Sequence, residues 1–458
     1  MTTQSDPWTP YVPTANDPWD LTKVAHLHRR AGFGGTWSEL QRDVKDGPAA
    51  SVDRLLKPRQ DTGEEKLILA TLRQGALDSR DSERLKAWWL YRLLYGADPL
   101  REKMTLFWHS HFATSNDKVQ NLKLMLAQNT LLRERGLEEF GTLLNGIATD
   151  RAMLVWLDGA GSKKEKPNEN FAREFLELFT VGLGHYTETD VRQAARAFTG
   201  WIQVQEQGER YGDKFRFLAE QFDTGGKTFL KQTGPWKAAD IVRITLEQPA
   251  TAEFICRKLY RHFVSESREP APELIAPLAQ ELGSHKYSIR HVLGIMLRAQ
   301  HFYDKAAIRR RIKSPVEFSA GLLRTLEMPR QNVSLLALAV ACERQGLDLF
   351  YPPNVKGWDG GKSWLNSSTV LERGNWIADV VWGNADLGLA PYDPSAWAKQ
   401  NGIPAGKAAE AFVDLLLQGG LSERSRRIIA RTAARDSNAH GLRLALQQIL
   451  HCPEYQLA

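Results

Sequence analysis

Two histidines one residue apart, His109 and His111 in LFWHSHFATSN, are the first side chains able to do chemistry. On extended backbone, residues i and i+2 share a face, so two imidazoles there can ligate one divalent cation. On a helix the same side chains stand about 200° apart and cannot share an ion. KMTLFW has helical spacing and ATSND is loop-like, so the pair falls near a helix end. Both geometries are open there, and a histidine can also satisfy terminal carbonyls. The second candidate is a carboxylate. On a helix from about Glu169 to Gly184, Phe175, Leu178 and Gly182 fall within about 40° of Phe171, and Glu174 lies about 60° from it. A half-buried carboxylate needs a partner or a metal, or it takes a raised pKa. His109, His111 and Arg196 are the candidate partners. Glu174 therefore either ties two helices as an ion pair or joins His109 and His111 as a catalytic or metal-ligating trio. The cofactor such a trio would take is a divalent metal.

A third candidate is the loop YPPNVKGWDGGKSWLNSS, residues 351–368, which carries Trp358, Asp359, Trp364 and Asn366. Two prolines stiffen its entry and its glycines permit tight turns. Such a loop makes a sugar- or peptide-binding platform, or wedges its rings into the core. Other motifs fail. Gly225-Gly226-Lys227-Thr228 and Gly360-Gly361-Lys362-Ser363 resemble the tail of a phosphate loop, but Gln221 and Lys356 stand where it needs glycine. Neither G-x-S-x-G nor H-E-x-x-H occurs. Cys256, Cys342 and Cys452 are far apart and form no C-x-x-C pair, which fits buried thiols in a reducing compartment. The string IRRRIK, residues 308–313, fits a solvated face or a carboxylate partner.

The elements that must position these groups are mostly helices. KAWWLYRLLY, ENFAREFLELFTVGLG, ATAEFICRKLYRHFV and IRHVLGIMLRAQHFY all repeat apolar residues three and four apart. Thr187 with Asp190 resembles a capping box. Alternation over 201–232 predicts one small β-hairpin. Residues 1–20 hold four prolines and a repeated Asp-Pro-Trp, which predicts an extended arm stapled by Trp8 and Trp19. The rest, 21–458, reads as one large domain of mainly all-α class with long loops at 159–170 and 351–368. A metal-dependent hydrolase barrel also uses H-x-H, but it needs repeated strands that this chain lacks.

Composition narrows the classes further. The chain has 458 residues, 42% hydrophobic and 25% charged, with a net charge of +6. These values exclude a disordered chain, a collagen and a small disulfide scaffold. A charge of +6 over this length gives no reason to expect nucleic acid. The N-terminus shows no basic and apolar leader, and no run is long enough to span a membrane. A cytoplasmic location is expected on that ground, with export alongside a partner left open.

HLHRRAGFGG, KMTLFWHSHFATS, NENFAREFLELFTVGLGHYTETDVRQAARAFTGW, FDTGGKTFL, IKSPVEF and PPNVKGWDGGKSWLNSSTVLERGNW occur in that order. In this set the chain resembles the bacterial domain-of-unknown-function 1800 family over nearly its whole length, from about Leu21. The resemblance implies a mostly helical fold and supplies no settled activity. Members often look exported and are commonly encoded beside an unknown-function 1501 family similar to sulfatase-type exported proteins, which is the implied partner. Two departures stand out: the missing leader, and Phe222-Asp223 where the family usually has His-Asp. The resemblance points to His109, His111, Asn168, Glu169, Asn170, Arg173, Glu174 and Trp358 as a shared polar centre, with Asp359 and Trp364 in the adjoining loop. The expected function is an enzyme with a His/Glu site acting on a polymer or modified peptide by hydrolysis or oxidation. A non-catalytic maturation partner of an exported protein, and a carbohydrate- or surface-binding module, are the alternatives.

Overall fold

A computed structural model describes residues 6–204, 214–418, 420–434 and 439–458. Within them the fold is mainly α-helical, with two small two-stranded antiparallel sheets. The helices begin where side chains can serve their free N–H groups. Asp98 caps Pro99–His111, with proline in the first turn. Asn168 caps Glu169–Glu174, and Thr187 with Asp190 closes a full capping box on Glu188–Ala197. The alternation over 201–232 becomes two strand pairs rather than one. Trp201–Val204 pairs with Lys214–Phe217, and Lys227–Phe229 with Gln232–Gly234. The turn joining the first pair lies outside the described residues.

The buried apolar side chains form two clusters. One gathers Ser82–Tyr95, Pro315–Thr325, Leu335–Arg344, Ser367–Trp382, Ala408–Leu417 and Ala439–Leu450. The other gathers Phe140–Ala148, the helix after Asn168, Pro249–Phe263, Pro272–Ser284 and Ile289–Arg298. The Pro99–His111 helix serves both. Leu106 enters the first cluster, while Leu100, Met104, Phe107 and Trp108 enter the second. All its residues except Arg101 and Ser110 are buried, as expected of a helix enclosed on every side.

Charge is buried beside this central helix. Lys103 and Arg311 both pair with Glu317, and all three side chains are nearly inaccessible. Their charges hold the Glu317 carboxyl well below the usual carboxylate range against the cost of burial. Lys103 also donates to the carbonyls of Arg29 (3.2 Å) and Gly32 (2.9 Å). The segment HLHRRAGFGG is thus a structural knot. A Cβ on Gly34 would sit 2.4 Å from Thr325 Oγ1, and Gly34 has φ +85°. IRRRIK is divided: Arg310 is exposed, whereas Arg311 and Lys313 are buried.

The proline-rich arm is tied down by its rings. Trp8 is buried and donates from Nε1 to Leu274 O (2.9 Å), and Trp19 donates to Asp43 O (2.9 Å). The Tyr11 N–H donates to Arg298 O at 2.7 Å. No helix among the described residues is long and apolar enough to cross a membrane.

Candidate functional site

A cleft of about 350 Å³ opens where the C-terminal end of Pro99–His111, the Pro249–Phe263 helix and the 351–364 loop meet. This is within the size range of small-molecule sites. Phe107, Ser110 and His111 come from the first helix; Lys258, Arg261 and His262 come from the second. Glu266, Arg311, Lys356, Trp358, Asp359 and Trp364 also line it. The loop lies hard against the helix end. A Cβ on Gly357 would fall 2.2 Å from Ser110 O, and this residue has φ +79°, so a glycine is required twice over.

The two histidines are helical and part company. His109 turns away from the cleft into an aromatic cage of Trp89, Phe350 and Trp358, with ring centroids 5.1, 5.6 and 5.5 Å away. Its Nε2 accepts the Phe350 N–H at 3.1 Å. Burial pushes its pKa down to about 3, so it is a neutral acceptor holding the loop entry. His111 faces Pro249–Phe263 and lines the cleft. Its Nε2 lies 3.1 Å from Phe179 O, and its Nδ1 is 3.0 Å from Lys258 Nζ. The carbonyl needs a donor, which assigns the proton to Nε2 and leaves Nδ1 to accept from the ammonium. Burial, and then the Lys258 charge, hold His111 well below its ordinary pKa.

The expected trio of His109, His111 and Glu174 is therefore not one ligand set. The helix places the two rings on different faces, His109 Nε2 is filled by a backbone N–H, and a cation already sits on His111 Nδ1. Glu174 is half-buried and its pKa is raised, first by burial and then by the neighbouring Glu177 charge. Lys356 at the cleft rim and Arg173 act in the opposite sense. Arg196, a candidate partner of Glu174, instead clamps Asp223 at 2.7 and 3.0 Å.

What the Glu169–Gly184 segment brings to the cleft is backbone. Its α-helix passes into a π-helical turn at Phe175–Phe179. The carbonyls of Leu178 and Phe179 at that end accept from Lys258 Nζ (3.2 Å) and His111 Nε2. π-Turns are frequent at functional sites, and a helix C-terminus favours a cation. Asn168 caps this helix and donates to Asp158 O at 2.5 Å. Glu169 and Asn170 are exposed, and Arg173 makes a two-pronged pair with Glu188 at 2.6 and 2.7 Å. None of these four lines the cleft.

The tryptophans of the 351–368 loop are mainly packing groups. Trp364 is buried and half-buried Trp358 rests on the same apolar cluster, so each gives the cleft only part of its ring. Asp359 is exposed at the rim. The first GGK segment has a local role: buried Lys227 donates to the carbonyls of Asp223 (2.6 Å) and Gly225 (3.0 Å) in its own turn. Phe222 is buried, with the Lys227 ammonium 5.1 Å from its ring.

The residues that sequence reasoning missed are Lys258, Arg261 and His262. Their signal was their spacing: positions i, i+3 and i+4 place three basic side chains on one face of a helix whose other face is apolar. Lys258 keeps some surface in the cleft, yet its pKa falls to about 8, first through burial and then through the Arg261 charge. Among the described residues no carboxylate pairs with it; its ammonium meets His111, Leu178 O and the face of the Phe254 ring, 4.9 Å from the centroid. His262 is held neutral chiefly by burial, and its Nε2 is enclosed without a hydrogen-bond partner.

Residues 26–457 match the family model described as protein of unknown function (DUF1800), and the chain belongs to that family. Neither the curated proteins nor the solved structures contain a match.

Proposed function

We propose that this cleft is the active site of an enzyme that binds an anionic group, with Lys258 as the acid/base and His111 as the residue that positions it. The observation that carries the reading is the Lys258 ammonium, 3.0 Å from a neutral imidazole and without a neutralising carboxylate among the described residues. A lysine poised near neutral pH can give up and take back a proton at a bound group. The chain Lys258–His111–Phe179 O orients it as a base–orienter pair requires. Lys356 adds positive charge at the lining, Arg261 is shared with Glu269 at 3.5 Å, and Phe107, Trp358 and Trp364 supply apolar surface. The cleft thus favours an anionic segment of a polymer or modified peptide, with proton transfer of the kind hydrolysis needs.

Amine acylation across a pH series, read residue by residue by mass spectrometry, tests this. Lys258 should reach half its maximal labelling rate near pH 8, against about 10.4 for ordinary lysines. Inorganic phosphate should protect it, and less so after Lys356→Ala. Labelling only at strongly alkaline pH, or phosphate that protects no better than chloride, would remove the reading.

A further inference from the structure

Away from the cleft, the end of the Pro272–Ser284 helix and the start of Ile289–Arg298 bring three metal-binding side chains together. Glu281 and His285 are four residues apart and project from one helical face. His291 comes from the first turn of the next helix. The two imidazoles stack with centroids 3.8 Å apart and planes 22° apart. Both aim at one oxygen: His291 Nε2 is 2.9 Å and His285 Nδ1 is 3.3 Å from Glu281 Oε2. One ligand atom from each residue lies within 4.8 Å of the other two.

We propose that Glu281, His285 and His291 form a binding site for a divalent cation of the Zn²⁺ class. Two imidazole nitrogens and one carboxylate oxygen suit zinc better than the oxygen-seeking Mg²⁺ or Ca²⁺. Tetrahedral zinc with bonds of about 2.0–2.1 Å has ligand–ligand edges of about 3.3 Å. The two nitrogen–oxygen separations, 2.9 and 3.3 Å, are already close to such edges. An ion between the three atoms would replace the N–H bonds that now hold the rings to the carboxylate. It would also draw His285 Nδ1 off Glu281 O (3.0 Å) and Ser284 Oγ (3.1 Å), each ring then carrying its N–H on the nitrogen that faces away from the ion. All three side chains reach solvent, which gives the ion a path in and leaves a fourth position for water.

The site spans a strained turn. Lys286 and Tyr287 are consecutive non-glycine residues with φ +52° and +59°. A cation held from both flanking helices would fix that turn from the solvent side, while the Phe140 N–H donates to Tyr287 O at 2.9 Å from within.

Calorimetric titration of the full chain with ZnCl₂ tests the proposal. One ion should bind per chain, and His285→Ala and His291→Ala should each weaken binding about tenfold or more. Glu281→Gln keeps the shape of the side chain and should weaken it likewise. Lys258→Met and the exposed-histidine control His185→Ala should leave it unchanged, which separates this site from the cleft. Cobalt substitution should give the intense visible absorption of tetrahedral coordination. No saturable binding at millimolar zinc, or binding abolished by His111→Ala and untouched by His291→Ala, would overturn it.

Discussion

Replacing Lys258 with methionine should change stability in opposite directions at neutral and alkaline pH. Lysine is charged in the unfolded chain up to its ordinary value of 10.5, but in the fold its pKa is about 8. Below pH 8 both states carry the proton, and the fold bears the whole cost of the buried charge. As pH rises from about 8 to 10.5 the folded state releases its proton first, and that cost disappears. At 1.36 kcal/mol per pH unit the cost is about 3 kcal/mol at pH 7, falling below about 1 kcal/mol at pH 10. Methionine removes the charge at every pH, yet it also leaves His111 Nδ1 without its donor, a loss of about 1–3 kcal/mol. Lys258→Met should therefore be neutral to stabilising by up to about 2 kcal/mol at pH 7. It should become destabilising at pH 10, where the native amine is neutral and still donates. Urea denaturation of both proteins at the two pH values measures this, since titration elsewhere cancels in the difference. The expected change in ΔΔG is about 2.5 kcal/mol. A ΔΔG that agrees at the two values within about 0.5 kcal/mol would show that Lys258 is not held as a costly buried cation, and the acid/base reading would go with it.

Three further outcomes follow from the same packing. Glu317→Gln strands Lys103 and Arg311 without their carboxylate and should cost about 3–5 kcal/mol in chemical denaturation, part of it recovered when Lys103→Met is added. Gly357→Ala forces a left-handed backbone and a Cβ onto Ser110 O; a loss of about 2 kcal/mol or more is expected, with weaker phosphate protection of Lys258. Trp8→Ala should lower the cost of opening the arm by about 3 kcal/mol, seen as early proteolytic cleavage between residues 9 and 20 while the body stays intact.

The helical class was legible because apolar residues recur three and four apart in segment after segment, and a helix must bury such a stripe. Caps such as Thr187 with Asp190 were legible because their hydrogen bonds are local. The candidate site was legible only in part. The H-x-H pair lies at a helix end where His111 lines the cleft, and the long Trp loop packs against that end. The wheel placed Glu174 at the edge of an apolar face, where the structure leaves it half-buried. It gave no hint that the helix would pass into a π-turn and offer carbonyls, because every residue carries the same carbonyl and no side-chain pattern marks it.

The sequence by itself determined that His109 and His111 could share an ion only on extended backbone, and that the 351–368 loop needed its glycines somewhere. Tertiary structure decided the rest. It sealed one histidine in an aromatic cage and set the other beside Lys258, 147 positions away. It brought His291 onto the oxygen of Glu281, although a turn and a new helix separate them. Local spacing constrains which side chains can share a face of one helix. Which faces then meet depends on how two buried clusters pack around the central helix, and that packing fixes the burial and charge on which each group's protonation depends.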